Sequence, residues 1–194
     1  MVWGDGTPVL AVPDFGYAFD EWSDGVTTAA RTDTNVTADL SVTANFVVES
    51  GYQVWIASFP SVTGPDRLPG EDPDGDGATN GWEFASNLDP TVQDAVRLTA
   101  GVSTAGLPLL EVQKIGMPGA DYLVIEYLRR IGDPDLSYSP QFKEDLSDPG
   151  PWLVAPIETV TPINATWERV VARNTPVGVA EKGFARLGIT LVVP

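Results

Sequence analysis

Proline and glycine interrupt this chain from end to end, and they are the strongest limit on what it can form. The 194 residues include 17 Pro and 19 Gly, spread along the whole length. Proline removes a hydrogen-bond donor from a helix or sheet and glycine favours turns, so long helices are disfavoured. Valine and threonine are plentiful between these breaks and favour extended structure. The sequence therefore predicts a mainly β protein built from short strands.

The charge of the chain excludes one class of partner. There are 27 acidic residues and 11 basic ones, which gives a net charge of −16. A surface of that sign repels phosphate backbones, so no nucleic-acid partner is expected. No apolar run approaches the roughly 20 residues that cross a bilayer, so no membrane span is expected either.

Histidine and cysteine are both absent. Their absence removes thiol nucleophiles, imidazole acid–base chemistry, disulfides and ordinary zinc sites. No catalytic residue is predicted, and we expect the chain not to be an enzyme.

The first 48 residues alternate apolar and polar positions in four short runs, as the strands of a small sheet do. The predicted strands lie at 9–11, 17–19, 36–40 and 42–48. Residues 12–25, which contain a Trp-Ser-Asp-Gly block, are followed by Arg-Thr-Asp at 31–33 and by Val-Thr-Ala-Asn-Phe at 42–46. These blocks and their order resemble the divergent internalin B-type repeat, a small β-grasp-like module of bacterial surface proteins. The resemblance implies a partial repeat over residues 1–49. Its sheet would have an open edge that a neighbouring repeat or a second subunit can cover.

Residues 50–95 have a different pattern. Large apolar residues recur every three to four positions over 52–59, which predicts a short helix, and a second short helix is predicted around Trp82 and Phe84. Between them, the acidic segment 72–83 has the spacing of an EF-hand loop, with glycine at the sixth position, Gly77, where the sharp bend is needed. The predicted calcium ligands are the side chains of Asp72, Asp74, Asp76, Asn80 and Glu83 and the backbone carbonyl of Ala78.

Oxygen ligands in this number suit Ca²⁺, whereas magnesium holds its water shell and zinc prefers nitrogen and sulfur. The alternative is an acidic, solvated turn without a metal. Segment 72–90 also resembles the dockerin-like and thrombospondin type 3-like calcium motifs of large secreted bacterial proteins. That resemblance implies one calcium-stapled linker between modules. Dockerins that bind cohesins carry two such loops, and only one is present here. Further ligands are expected from Asp66, Glu71 or Asp89.

From residue 96 to residue 194 the pattern is again that of strands. Five apolar runs are separated by Gly/Pro turn signals, which predicts a β-sandwich. The runs cover residues 109–115, 122–130, 152–160, 167–173 and 184–193. Blocks at 122–130, 135–138, 167–170 and 184–187 resemble the terminal β domains of large secreted bacterial proteins.

Taken together, the three regions predict a calcium-stabilised structural or adhesive module of a secreted bacterial cell-surface protein. Its expected location is extracellular or at the cell surface, and any export signal is expected to lie outside this chain. Expected partners are neighbouring modules or subunits, and a polysaccharide or a host or cell-surface protein. Six tryptophans leave open a carbohydrate-binding accessory module of an extracellular enzyme. The open sheet edge leaves open a self-assembling filament or surface-layer subunit.

Overall fold

A computed structural model describes residues 4–14, 16–116, 119–155, 157–174 and 183–193. Strands far outnumber helices, which confirms the predicted mainly β class. Among the described residues, no helix is long and apolar enough to cross a membrane. The chain divides into two compact units, the first ending at Val54 and the second running from Trp55 to Val193.

The described residues of the first unit form two antiparallel strand pairs. Strand β1 pairs with β3, and β2 pairs with β4, so that Phe19 faces Phe46 across the second pair. The predicted strand at 36–40 does not form, because Asn35 adopts a left-handed conformation (φ 55°) and turns the chain. The strands are β1 (Val9–Leu10), β2 (Tyr17–Trp22), β3 (Ala30–Arg31) and β4 (Ala44–Val48).

A cluster of charged and aromatic side chains holds this first unit together. Trp22 is buried, and its indole N–H donates to the carbonyl of Thr28 at 3.0 Å. The Arg31 guanidinium lies 5.1 Å from the centre of the Trp22 ring and forms two hydrogen bonds with Asp24, at 3.0 and 2.9 Å. It also contacts Asp33. The residues of the repeat-like motif are therefore the ones that stabilise its fold.

The second predicted region contains three short helical segments. Helix α1 (Gly51–Ala57) begins with a reciprocal cap, in which Ser50 Oγ accepts from the Gln53 N–H and Gln53 Oε1 accepts from the Ser50 N–H. A 3₁₀ turn, Gly64–Arg67, follows. Helix α2 (Asn80–Ser86) ends at Asn87, which is left-handed and donates to the carbonyl of Thr104.

Two antiparallel sheets follow among the described residues of the second unit. One has the strand order β5-β6-β10-β9 and the other β11-β7-β8. Their facing side chains form one core, with Ile125 and Val170 from the first sheet and Phe142 and Leu187 from the second. The strands are β5 (Leu109–Ile115), β6 (Ala120–Arg130), β7 (Leu136–Lys143), β8 (Leu153–Val154), β9 (Ile157–Pro162), β10 (Trp167–Arg173) and β11 (Phe184–Leu191).

Strand β7 was not predicted, and it contains a proline in a sheet interior. Pro140 pairs with Leu187 of β11, and its carbonyl accepts from the Ala155 N–H. In an antiparallel strand the N–H and C=O of one residue point to the same side, so the missing donor faces the short strand β8. The ladder with β11 therefore stays intact.

Helix α2 packs directly on this sandwich. The Arg130 guanidinium at the end of β6 lies 4.1 Å from the centre of the Phe84 ring and 4.8 Å from that of Trp167. The Tyr138 hydroxyl donates to the carbonyl of Ala85 at 3.0 Å and accepts from the Arg130 N–H at 3.2 Å. Helix α2, which follows the predicted metal loop, is thereby held against the sandwich.

Candidate metal centre

The loop that precedes α2 wraps around its own carboxylates. Gly75 and Gly77 have φ values of 75° and 95°, which residues with a Cβ rarely adopt. Both donate their N–H groups to Asp72, at 2.9 and 3.0 Å. Asp74 accepts from the Asp76 N–H at 3.1 Å, and Asp76 from the Ala78 N–H at 2.8 Å. These bonds turn the aspartates towards the inside of the loop.

Carboxylate oxygens converge in two overlapping groups. One oxygen each of Asp72, Asp74 and Asp76 lies within 4.8 Å of the others. One oxygen each of Asp76, Glu83 and Asp94 does the same. Asp76 belongs to both groups, so the five carboxylates form one continuous cluster.

The cluster contains buried oxygens that have no hydrogen-bond donor among the described residues. They are Asp74 Oδ2, Asn80 Oδ1, both Oε atoms of Glu83, and Asp94 Oδ1. Glu83 and Asn80 are each 0% exposed. Each such group costs about 1–3 kcal/mol when it is left unsatisfied, and more when it is charged. The donor set therefore fits a hard cation, which would contact several of these oxygens at once.

The electrostatics of the cluster lead to the same conclusion. Burial, together with the charges of Asp74, Asp76, Asp94 and Asp72, raises the pKa of Glu83 to about 8. Burial also raises the pKa values of Asp74 and Asp94, and neighbouring carboxylates add to both shifts. Without a cation, the folded protein disfavours the charged form of these groups.

Two of the predicted ligands have additional structural roles. The Asn80 amide NH₂ donates to the carbonyls of Asp66 and Leu68, at 2.7 and 2.9 Å, so only its Oδ1 is left for a ligand role. Ala78 is buried, and its N–H is taken by Asp76. Asn80 therefore joins the loop to the segment before it, and Ala78 joins two parts of the loop to each other.

Asp94 was missed by sequence reasoning, which looked for further ligands at Asp66, Glu71 and Asp89. The carbonyls of Asp66 and Glu71 accept from Asn80, and the Asp89 carboxylate accepts from Thr91. These three carboxylates belong to neither metal-capable group among the described residues. Asp94 lies outside the EF-hand spacing, and no local signal distinguishes it from the other acids.

Most of the tryptophans have packing roles. Trp22 and Trp167 are buried, and Trp55 packs its ring 5.3 Å from that of Phe84. Trp152 lies under the Arg186 guanidinium at 4.3 Å. Trp82 lines a pocket of about 290 Å³ together with residues that include Arg97, Leu107, Leu110 and Leu187. Trp3 lies outside the described residues.

The amino-terminal residues are similar to a known family. Residues 1–50 match the divergent InlB B-repeat domain. This match confirms the resemblance expected for the amino-terminal residues, whereas the loop and the sandwich lie outside it. No curated protein and no solved structure matches the chain. InlB-type repeats occur in bacterial surface proteins, so the InlB B-repeat suggests a bacterial surface or adhesive module.

Proposed function

We propose that segment 72–83 binds Ca²⁺ and that the chain is a calcium-stabilised structural or adhesive module of a secreted bacterial cell-surface protein. The proposed role is mechanical and involves no catalysis. The proposed ligands are Asp72, Asp74, Asp76, the carbonyl of Ala78, Asn80 and Glu83.

The five buried oxygens without donors carry this proposal. Solvated acidic turns leave their carboxylates in water, but Glu83 is 0% exposed and has no hydrogen bond to either oxygen among the described residues. Burying an uncompensated carboxylate costs several kcal/mol. A bound cation supplies the missing compensation, and an empty acidic turn does not.

The chemistry of the donors selects calcium among common cations. All available ligands are oxygens, and Ca²⁺ takes six to eight of them at about 2.3–2.6 Å in flexible geometry. Magnesium demands an octahedron and keeps several waters, and zinc and copper prefer imidazole or thiolate, which this chain lacks.

The position of the loop suggests what calcium does. Glu83 immediately precedes Phe84 and Ala85, the two residues of α2 that contact Arg130 and Tyr138 of the sandwich. Neutralising the cluster would fix α2 on the sandwich and stabilise the second unit. Stiff modules of this kind suit a surface array whose partners are neighbouring modules or subunits.

Thermal unfolding of the wild type and of Glu83→Gln, each in excess chelator and in calcium, tests the proposal. The amide does not titrate, so the variant avoids the cost of keeping Glu83 protonated or of burying its charge, and it should unfold at a higher temperature than the wild type in excess chelator. In calcium the order should reverse, because the variant has lost a ligand. At calcium 100 times its dissociation constant, the wild type gains about 2.7 kcal/mol.

Glu71→Gln is the matched control. Glu71 is exposed and lies next to the loop, so the substitution removes the same charge without removing a proposed ligand. It should follow the wild type in both conditions. Wild-type curves that coincide in calcium, magnesium and chelator would contradict the proposal and leave an acidic turn.

A further inference from the structure

The Asp94 side chain reaches the carboxylate cluster from outside the EF-hand-like loop. It follows α2 by a turn in which Asp89 accepts from Thr91 and the Asp89 N–H donates to Asp94 Oδ2 at 3.3 Å. The turn brings Asp94 back to the loop, and one of its oxygens lies within 4.8 Å of oxygens from both Asp76 and Glu83.

Three consecutive residues fasten this turn to the loop. The Gln93 side-chain amide donates to the carbonyl of Asp74 at 2.7 Å. The N–H groups of Asp94 and Ala95 both donate to Asp76 Oδ2, at 2.9 and 2.6 Å. Because one loop aspartate accepts both backbone bonds, the position of Asp94 is tied to the position of a predicted ligand.

One oxygen of the Asp94 carboxylate is in the state expected of an atom that binds a cation. Its Oδ2 accepts the Asp89 N–H, but Oδ1 is buried without a donor among the described residues. Glu83, in the same group, is fully buried with both oxygens equally unpartnered. Two ionised carboxylates with free, buried oxygens at this distance repel each other, and a cation between them would offset that repulsion.

We propose that Asp94 is a further carboxylate ligand of the calcium ion and closes the site from outside the loop. The inference rests on the proposed function of segment 72–83. It adds an anionic ligand to the set supplied by the loop, which raises affinity for calcium.

The proposed bond between Asp94 and the ion would join the ion to the sandwich by a second route, in addition to α2. Four residues after Asp94, Leu98 is buried against Leu128 and Trp167. The backbone between them pairs with Leu107, through the bonds from Leu98 N–H to Leu107 O and from Leu107 N–H to Val96 O. Calcium held by Asp94 would therefore fix segment 93–98, whose Leu98 packs against Leu128 of β6.

Calorimetric titration of the chelator-treated full chain with Ca²⁺ tests the inference, with Asp94→Asn compared to Glu71→Gln. The first variant should bind calcium at least about tenfold more weakly than the wild type. The second removes an equal charge from an exposed position beside the loop and should change affinity less than about twofold. Asn keeps the size of Asp, so folding is retained and is checked by circular dichroism.

Hydrogen exchange supplies a second readout. In the wild type, calcium should slow exchange in peptides that cover both the loop and segment 93–98. In Asp94→Asn, saturating calcium should still protect the loop but no longer segment 93–98. Equal affinity and equal protection in the two proteins would overturn the inference and leave the loop site standing. A wild type that binds no calcium would overturn both.

Discussion

At the residue scale, Glu83 is where burial and charge oppose each other most strongly. Its position follows from the helix: α2 begins at Asn80, and the first turn buries the glutamate beneath the loop. A carboxylate there is stable when protonated or when bound to a cation. The calcium-free protein is therefore expected to lose stability as pH rises through the range in which the unfolded chain has released the Glu83 proton and the folded protein still holds it.

The sign of the pH dependence follows from the raised pKa of Glu83, about 8 in the folded protein compared with an ordinary value of 4.5. Between these values the folded state holds a proton that the unfolded state has released. In chelator, stability should therefore fall as pH rises from about 5 to about 8, by at most about 1.4 kcal/mol per pH unit for this group, and then level off.

Urea unfolding in chelator at several pH values measures this dependence. Asp74 and Asp94, whose pKa values are also raised, contribute with the same sign at the acidic end. Glu83→Gln should flatten the slope above about pH 6, because the amide does not titrate. A wild type whose calcium-free stability rises through this range would show that Glu83 is already ionised and compensated.

At the element scale, helix α2 has only seven residues and depends on the sandwich for its stability. The contacts of Phe84 and Ala85 with Arg130 and Tyr138 supply what the short helix lacks. Because the same helix carries Glu83, packing against the sandwich and metal binding should reinforce each other.

Tyr138→Phe tests that coupling. The variant loses the hydroxyl that bonds both to the carbonyl of Ala85 and to the Arg130 N–H, which should cost about 1–2 kcal/mol of unfolding free energy. Calcium affinity should fall as well, because α2 is held less firmly. Tyr122→Phe is the control, since that hydroxyl has no hydrogen-bond partner among the described residues. An unchanged calcium affinity in Tyr138→Phe would show that the contact between α2 and Tyr138 does not support metal binding.

At the scale of the whole molecule, features encoded locally were predictable and features made by tertiary contacts were not. Strands β5 and β10 have the predicted bounds, because each is an apolar run between clear turn signals. The loop around Gly77 follows from residue spacing alone. Strand β7 was missed because a proline such as Pro140 argues against a strand in a sheet interior. Only the structure shows that the missing N–H of Pro140 faces the short strand β8.

Asp94 shows the same limit within the candidate site. Its approach to Glu83 depends on the turn after α2 and on the backbone bonds to Asp76, neither of which has a sequence signature. The first unit was recognisable because Trp22, Asp24 and Arg31 lie close together in the chain and stabilise one small fold. Local motifs therefore identified the amino-terminal repeat, and tertiary contacts bring Asp94 to the candidate site.

The central claim is that this chain binds calcium, and calorimetric titration of the chelator-treated wild type tests it most directly. We predict saturable binding of a single Ca²⁺ ion per chain, with magnesium at the same concentration producing little heat and failing to compete. A titration without saturable heat, or one in which magnesium binds as well as calcium, would contradict the account.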